Sequence, residues 1–361
     1  MLSLPDWLLR RLATSLLGNW YLRAKNRLTV RLERLDSRPI PAGHQEVRLF
    51  LCARNEAVLL PYFFDYYRRL GISRFFVVDN NSTDRTRDLV LQQPDAHLFG
   101  ASGSYARADF GVAWIRHLLV RYGAARWCVL ADADEFLVYP QMERLTVPEL
   151  CAHLDARGVA GLRCLLLDMY SDRAIRDAVY TPGQAPWEVC PFFDPASHYP
   201  RDYFGTQRPF GGVRQRVFQA EACLSKVPLL KFAPQRFVLP GYHDVWTIRF
   251  ADLRGVMLHF KFLSTFQEAA LREVARGEHW NNAGEYKTYC GVLQQQPDLS
   301  LFCADSVRYV GPDQLLRLNL LKETPEWRAW AADRGRGSAA DGREGSPSVG
   351  MTPAGSRASA D

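Results

Sequence analysis

No stretch of this chain strings together the ~18 uncharged apolar residues that a membrane-spanning helix needs. No two of its eight cysteines form a Cys-x-x-Cys pair, so a structural zinc site has no support. Several of those cysteines lie inside apolar runs, and reduced thiols in a cytosol are expected. A Gly-x-x-x-x-Gly-Lys-Ser/Thr loop is absent, which excludes a P-loop. Internal repeats are absent as well. Glycine (25) and proline (21) are too few for a collagen-like or low-complexity chain.

What is present suits a folded domain. The 361 residues are 47% hydrophobic and 23% charged, enough to bury a large core. The net charge of +6 is unevenly placed. Residues 1–35 carry seven basic side chains against Asp6 and Glu33, so nearly the whole excess sits there. The remainder is close to neutral, which argues against nucleic acid as a partner. Leu8, Leu12, Leu16 and Trp20 recur at helical spacing, with Arg10, Arg11 and Arg23 largely off that stripe. Residues 1–45 are therefore expected to form a basic amphipathic arm, which either touches an anionic membrane surface or packs on its own domain. Asp6 and Arg10–Arg11 interrupt the apolar stretch, so a secretory signal peptide is not expected. Residues 331–361 are mostly Ala, Gly, Ser, Pro, Arg and Asp and are expected to form a disordered tail.

Between these ends, strand and helix signals alternate. Val47–Ala53, Arg74–Asp79, Ala96–Gly100 and Trp127–Ala131 have strand character. Helices are predicted over Glu56–Leu70, Arg85–Gln93 and Tyr105–Tyr122. Strands separated by helices imply βαβ units and a mostly parallel, Rossmann-like sheet flanked by helices. The second half is less regular, an α+β part. Strands are expected at Gly161–Asp168, Val213–Phe218 and Val256–Phe262, and helices at Thr265–Arg276 and Glu285–Gln295. No linker separates the halves, so residues 46–330 are predicted to be one domain, with a nucleotide half to residue 140 and an acceptor half beyond.

Polar residues cluster where three of these strands end: Arg54-Asn55-Glu56, Asp79-Asn80-Asn81-Ser82-Thr83-Asp84, and Asp132-Ala133-Asp134-Glu135. Ligands of open parallel sheets bind at the carboxyl ends of strands, so the clusters are expected to share one crevice. In an extended segment Asp132 and Asp134 point to one side. Two close carboxylates repel unless a cation lies between them or one is protonated. Mg²⁺ or Mn²⁺ commonly binds such a pair together with phosphates, whereas a solvated loop is the plain alternative.

The ordered set Ala53-Arg54-Asn55-Glu56, Asp79-Asn80-Asn81-Ser82-Thr83-Asp84 and Asp132-Ala133-Asp134-Glu135-Phe136 resembles the family 2 glycosyltransferases of GT-A fold. It is most similar to the bacterial branch with an Asp-x-Asp-Glu-Phe metal motif. The resemblance covers residues 47–140 well and extends weakly, through Gly211–Arg216 and His259–Leu263, to about residue 320. It implies transfer of a sugar from a nucleotide-sugar donor, expected to be UDP-linked, to a glycan or lipid-linked hydroxyl, as in polysaccharide biosynthesis at the cytoplasmic face of a membrane. By analogy Arg54, Asn55 and Glu56 line the nucleotide pocket, Asp79 meets the base or ribose, and Asn81 and Asp84 shape that loop. Asp132 and Asp134 would hold Mn²⁺ or Mg²⁺, with the late His259 as third ligand; its alternative is a hydrogen-bonded core histidine.

A base for the acceptor hydroxyl is harder to find, because the Glu-Asp pair of many members is missing. His243, Asp244 and Glu135 are the candidates. Arg214 and Arg216, at i and i+2 on the expected strand, would clamp phosphate or lie on a solvated face. Trp187, Phe192, Phe193, Tyr199, Tyr203 and Phe204 are either sugar-stacking rings or loop core. Aspartate-nucleophile phosphohydrolases need Thr or Val soon after the second Asp, where this chain has Glu135-Phe136-Leu137. A sugar-nucleotide pyrophosphorylase wants a glycine-rich loop where Arg54-Asn55-Glu56 stands. The non-enzymatic alternative is a nucleotide-sugar or glycan-binding module without turnover.

Overall fold

The computed structural model describes residues 30–43, 46–203 and 205–340, so the basic N-terminal helix predicted over residues 1–20 lies outside the described residues. Among the described residues, nine strands form the central sheet. In chain order they are β1 (Glu33–Arg34), β2 (Arg48–Ala53), β3 (Arg74–Asp79), β4 (Ala96–Gly100), β5 (Trp127–Leu130), β6 (Glu135–Val138), β7 (Gly161–Asp168), β8 (Ser225–Lys231) and β9 (Phe250–His259). Their spatial order is β1-β4-β3-β2-β5-β8-β7-β9-β6. Strands β4, β3, β2 and β5 run parallel, the Rossmann-like half expected from the sequence. The other half is mixed: β8 is antiparallel to β5 and β7, β9 is parallel to β7, and β6 is antiparallel to β9. The chain is thus an α/β fold with helices on both faces of a large sheet.

Strands β2 to β5 are apolar over most of their length because both faces are covered, and their side chains alternate between two cores. Leu49 and Leu51 of β2, Phe75 and Val77 of β3, and Trp127 and Val129 of β5 enter one core. Helix α1 (Leu60–Arg69) covers it with Phe63, Phe64 and Tyr67. Phe50, Phe76, Val78, Cys128 and Leu130 enter the other, under Trp114, Ile115 and Leu118 of α2 (Val112–Leu118). Helix α1 stops at Gly71, whose φ of +88° suits glycine and where a Cβ would approach Pro148 Cδ to 2.9 Å. The helix expected from Tyr105 starts only at Val112, because Asp109, Phe110 and Gly111 all have positive φ. All eight cysteines are free thiols. Among the described residues no helix is long and apolar enough to cross a membrane.

Two expectations are corrected. Val213–Phe218 is not a strand but lies in helix α3 (Gly212–Phe218). Gly211 and Gly212, both at positive φ, turn the chain out of the hairpin His198–Tyr203/Thr206–Gly211. The helix then buries Val213 and Phe218 in a third, smaller core with Phe262, Phe266 and Tyr289. Secondly, α4 (Pro325–Ala340) runs ten residues into the segment expected to be a disordered tail. Its anchor is Trp327, fully buried against His153 and Trp330, with Nε1 donating to the Pro140 carbonyl at 3.2 Å. Trp327→Ala is expected to cost about 3–5 kcal/mol of stability, the range for truncating a buried tryptophan. Urea unfolding followed by circular dichroism reads this out; an unshifted midpoint would detach α4 from the domain.

Candidate functional site

Strand β2 lies between β3 and β5, so the connections from its two halves leave in opposite directions and open a crevice at the carboxyl ends. That is where open α/β sheets bind ligands. A cavity of about 680 Å³ occupies it. All three polar clusters contribute: Arg54, Asn55 and Glu56 after β2, Asn80, Thr83 and Asp84 after β3, and Asp132 and Asp134 after β5. His259 and Lys261, from the end of β9, complete the floor.

The first two loops are laced together by side chains. Thr83 N–H donates to Asn55 Oδ1 at 2.7 Å, and Asn55 N–H to Ser82 Oγ at 3.0 Å. Ala57 N–H reaches Asp84 Oδ2 at 3.1 Å, and Arg54 Nη1 the Asn80 carbonyl at 2.8 Å. Asn55 and Asp84 therefore shape the rim as much as they line it. Asp79 does not face the cavity. It is fully buried, its carboxylate held by Arg87 Nε at 2.6 Å and Ser82 N–H at 3.2 Å, so it organises the loop from beneath. Asn81 is exposed and opens on a neighbouring hollow beside Arg87.

The acidic turn is pinned from two sides. Tyr66 and Tyr67 of α1 donate to the carbonyls of Leu137 and Glu135, at 2.6 and 2.9 Å. Phe260 N–H donates to the Asp134 carbonyl at 2.9 Å, tying the turn to the strand that carries His259. His259 is paired in register with Asp168 on β7, and a chain of alternating charge results. His259 Nε2 lies 3.1 Å from Asp134 Oδ2, His259 Nδ1 2.6 Å from Asp168 Oδ1, and Asp168 Oδ2 2.9 Å from Arg214 Nε. Burial alone would lower the His259 pKa, but the two carboxylates outweigh it and raise it to about 9. Burial pushes Asp134 up, and His259 and Lys261 overcome that to hold it near 2. Glu56, by contrast, is driven well above the carboxylate range by burial and by Asp134 and Asp132.

Among the described residues, no three His, Cys, Asp or Glu side chains already converge as a metal cluster. The donor chemistry nevertheless fits a divalent cation, whose binding at His259 would displace the proton from Nε2. Asp168 holds Nδ1 and thereby aims Nε2 at Asp134, the carboxylate–histidine arrangement that orients metal ligands. Asp132 lies on the same wall, its side chain 43% exposed and 3.5 Å from Lys226 Nζ.

Besides Asp79 and Asn81, five assigned residues fall elsewhere. Arg214 and Arg216 sit on a helix, where i and i+2 diverge. Arg214 is buried on Asp168 and Glu285, and Arg216 binds Asp194 and the Leu301 carbonyl, so neither clamps a phosphate in this cavity. Glu135 is buried on Lys226 Nζ at 2.5 Å, off the cavity wall. Asp244 is buried between Arg163 (3.0 Å) and Arg208 (2.6 Å) and does not line the cavity. His243 Nδ1 lies 2.9 Å from the Ser225 carbonyl, and burial together with nearby Lys226 lowers its pKa to about 3. Of the six aromatic residues between 187 and 204, none that the structure describes lines the cavity.

The residues not anticipated come from α5 (Phe266–Arg276) and the start of α6 (Trp280–Gln295). Glu268, Arg272, Glu273 and Arg276 face the cavity, joined by Tyr105, His279 and Tyr286. Their signal was available: 265, 268, 269, 272, 273 and 276 trace one face of the predicted helix at 3.6-residue spacing.

No protein-family model matches this chain, and no curated protein matches it in sequence. Solved structures do. A glucosyl-3-phosphoglycerate synthase from Mycobacterium tuberculosis, solved with Mn²⁺, UDP and glucosyl-3-phosphoglycerate, matches with a TM-score of 0.23 and 17% identity. That match spans 37% of this chain and only 50% of the other. A mannosyltransferase from Pyrobaculum calidifontis, in complex with GDP-Man and Mn²⁺, matches over 94% of this chain and 88% of its own, with a TM-score of 0.32 and 14% identity. A Bacillus anthracis protein assigned as a glucose-1-phosphate thymidylyltransferase, solved with sucrose, matches over 76% and 93%, with a TM-score of 0.28 and 7% identity.

The placement of His243 has a consequence in acid. Neutral in the fold to about pH 3, it protonates near 6.5 once unfolded. A depressed folded pKa gives stability that is complete above the unfolded value and is lost as pH falls below it. His243→Gln should therefore flatten the loss of stability between pH 7 and 4.5 by about 1–2 kcal/mol. Urea midpoints at both pH values measure it; parallel losses in the two proteins would place His243 in water.

Proposed function

We propose that this protein is a metal-dependent glycosyltransferase that takes a sugar from a nucleotide-sugar donor and passes it to a hydroxyl of a glycan or lipid-linked acceptor. The observation that carries this reading is the meeting of Asp132, Asp134 and His259 with Arg54, Lys261 and Arg276 around one cavity at the switch point of the sheet.

Carboxylates and cations in one crevice suit a diphosphate held with a divalent ion better than they suit either charge alone. Mn²⁺ or Mg²⁺ bound by Asp134, His259 and Asp132 would stabilise the negative charge that develops on the departing nucleoside diphosphate. Asp168 keeps the His259 ring oriented for that task, and Arg214 keeps Asp168 ionised. Arg54 and Lys261 stand on the same wall to neutralise phosphate oxygens. Glu56, Asn80 and Thr83 form the side of the cavity toward β3, where we place the nucleoside, UDP-linked by the sequence resemblance. With Glu135, His243 and Asp244 off the wall, the proton of the acceptor hydroxyl falls to a cavity carboxylate of α5, Glu268 or Glu273.

The test is a panel of UDP-, GDP- and dTDP-sugars with Mn²⁺, following nucleotide released in the absence of acceptor. Asp134→Asn should lower release by about 10²-fold or more in protein that circular dichroism shows to be folded. Release at the wild-type rate would remove the metal assignment, and donor affinity without release in the wild type would make the protein a binding module.

A further inference from the structure

One residue beyond the last cavity-lining position of the α5–α6 turn stands a tryptophan that no fold requirement explains. Trp280 is 76% exposed. Its neighbour in sequence, His279, lines the cavity. Among the described residues its one ring contact is with Phe110, 5.9 Å away, from a loop 170 positions earlier in the chain. From there rings continue inward without a gap. Phe110 lies 6.0 Å from Tyr105, Tyr105 5.2 Å from His279, and His279 4.6 Å from Tyr286. The last three line the cavity.

Both loops are held to present these rings. Glu278 accepts hydrogen bonds from Ser104 Oγ and from Ala106 N–H, the latter at 2.8 Å, and so clasps one loop to the other. Phe110 has φ of +56°, and Asn281, Asn282 and Ala283 have φ of +50°, +54° and +55°. Such conformations are costly away from glycine, least so for asparagine, and persist only where the surroundings impose them.

We propose that Trp280 and Phe110 form a shelf on which a pyranose ring of the acceptor lies, directing its hydroxyl into the cavity. This rests on the donor reading above, since the acceptor must enter from the mouth. The chemistry beside the ring selects a sugar over a lipid surface. Trp280 is flanked by Glu278, His279, Asn281 and Asn282, and the two asparagines are exposed. An indole offers its face to the C–H side of a pyranose, while carboxylate, imidazole and amide groups around it bond the hydroxyls. A membrane contact would instead call for a continuous apolar patch around the ring.

Saturation-transfer NMR with maltose, cellobiose, lactose and chitobiose tests the shelf directly. At least one disaccharide should receive saturation on the C–H protons of one ring face. Trp280→Ala should weaken it about tenfold, Phe110→Ala less, and Trp280→Tyr should restore it. The shelf is overturned if no disaccharide responds, if Trp280→Ala responds like the wild type, or if Trp280 instead mediates sedimentation with phosphatidylglycerol vesicles. Mn²⁺-dependent UDP binding, measured in the same samples, should survive Trp280→Ala. Its absence from the wild type alongside a Trp280-dependent disaccharide signal would sink the donor reading and uphold the shelf.

Discussion

The site depends on a line of alternating charge: Arg214, Asp168, His259 and Asp134. Each member apart from Asp134 is buried, and a buried charge with no partner costs several kcal/mol. The line works because each buried charge has an opposite on either side, Arg214 through Asp168 and Glu285. It also joins four elements that are distant in sequence: α3, the ends of β7 and β9, and the turn before β6. Lys226 on β8 adds a second, parallel link through Glu135 and Asp132. Several ionisable groups are therefore fixed in position before any ligand arrives. Of these, Asp134, Asp132 and the Nε2 edge of His259 face the open cavity.

This arrangement separates holding from binding. Asp168, Arg214, Lys226 and Glu135 are buried and committed to partners, whereas Arg54, Lys261, Arg272 and Arg276 reach the cavity wall. The same division appears in the loop after β3. Asp79 is sealed beneath it while Asn80, Thr83 and Asp84 form its surface. A residue in a conspicuous motif is thus as often the support of the site as its face.

Much of the half up to residue 140 was legible because local patterns decide it. Strand β3 has the predicted bounds, β2 lies within one residue of them, and the alternation of apolar side chains maps onto two cores. Convergence of the three loops followed from the crossover rules, and the structure brings seven of the assigned residues onto one wall, from Arg54 to His259. The failures came where distant packing decides. Val213–Phe218 is short enough to read as strand or helix, and only the third core settles it. Asp244 looks like a loop carboxylate until Arg163 and Arg208, 81 and 36 residues away, close on it. The composition of residues 331–340 suggested a tail, yet Trp327, just before them, anchors the helix that runs through them.

The second half of the chain then has a definite physical task. A crevice at the end of a parallel sheet is open on one side, and water in it would weaken every electrostatic contact on the floor. Helices α5 and α6 supply the missing wall, and they can do so only because the third core seats them through Phe266 and Tyr289. The hinge between them is where Gly277 ends one helix and a left-handed turn begins the next, fastened by Glu278 to the loop of Ser104. That loop precedes α2, which packs on the parallel half. One clasp therefore couples the wall to the floor.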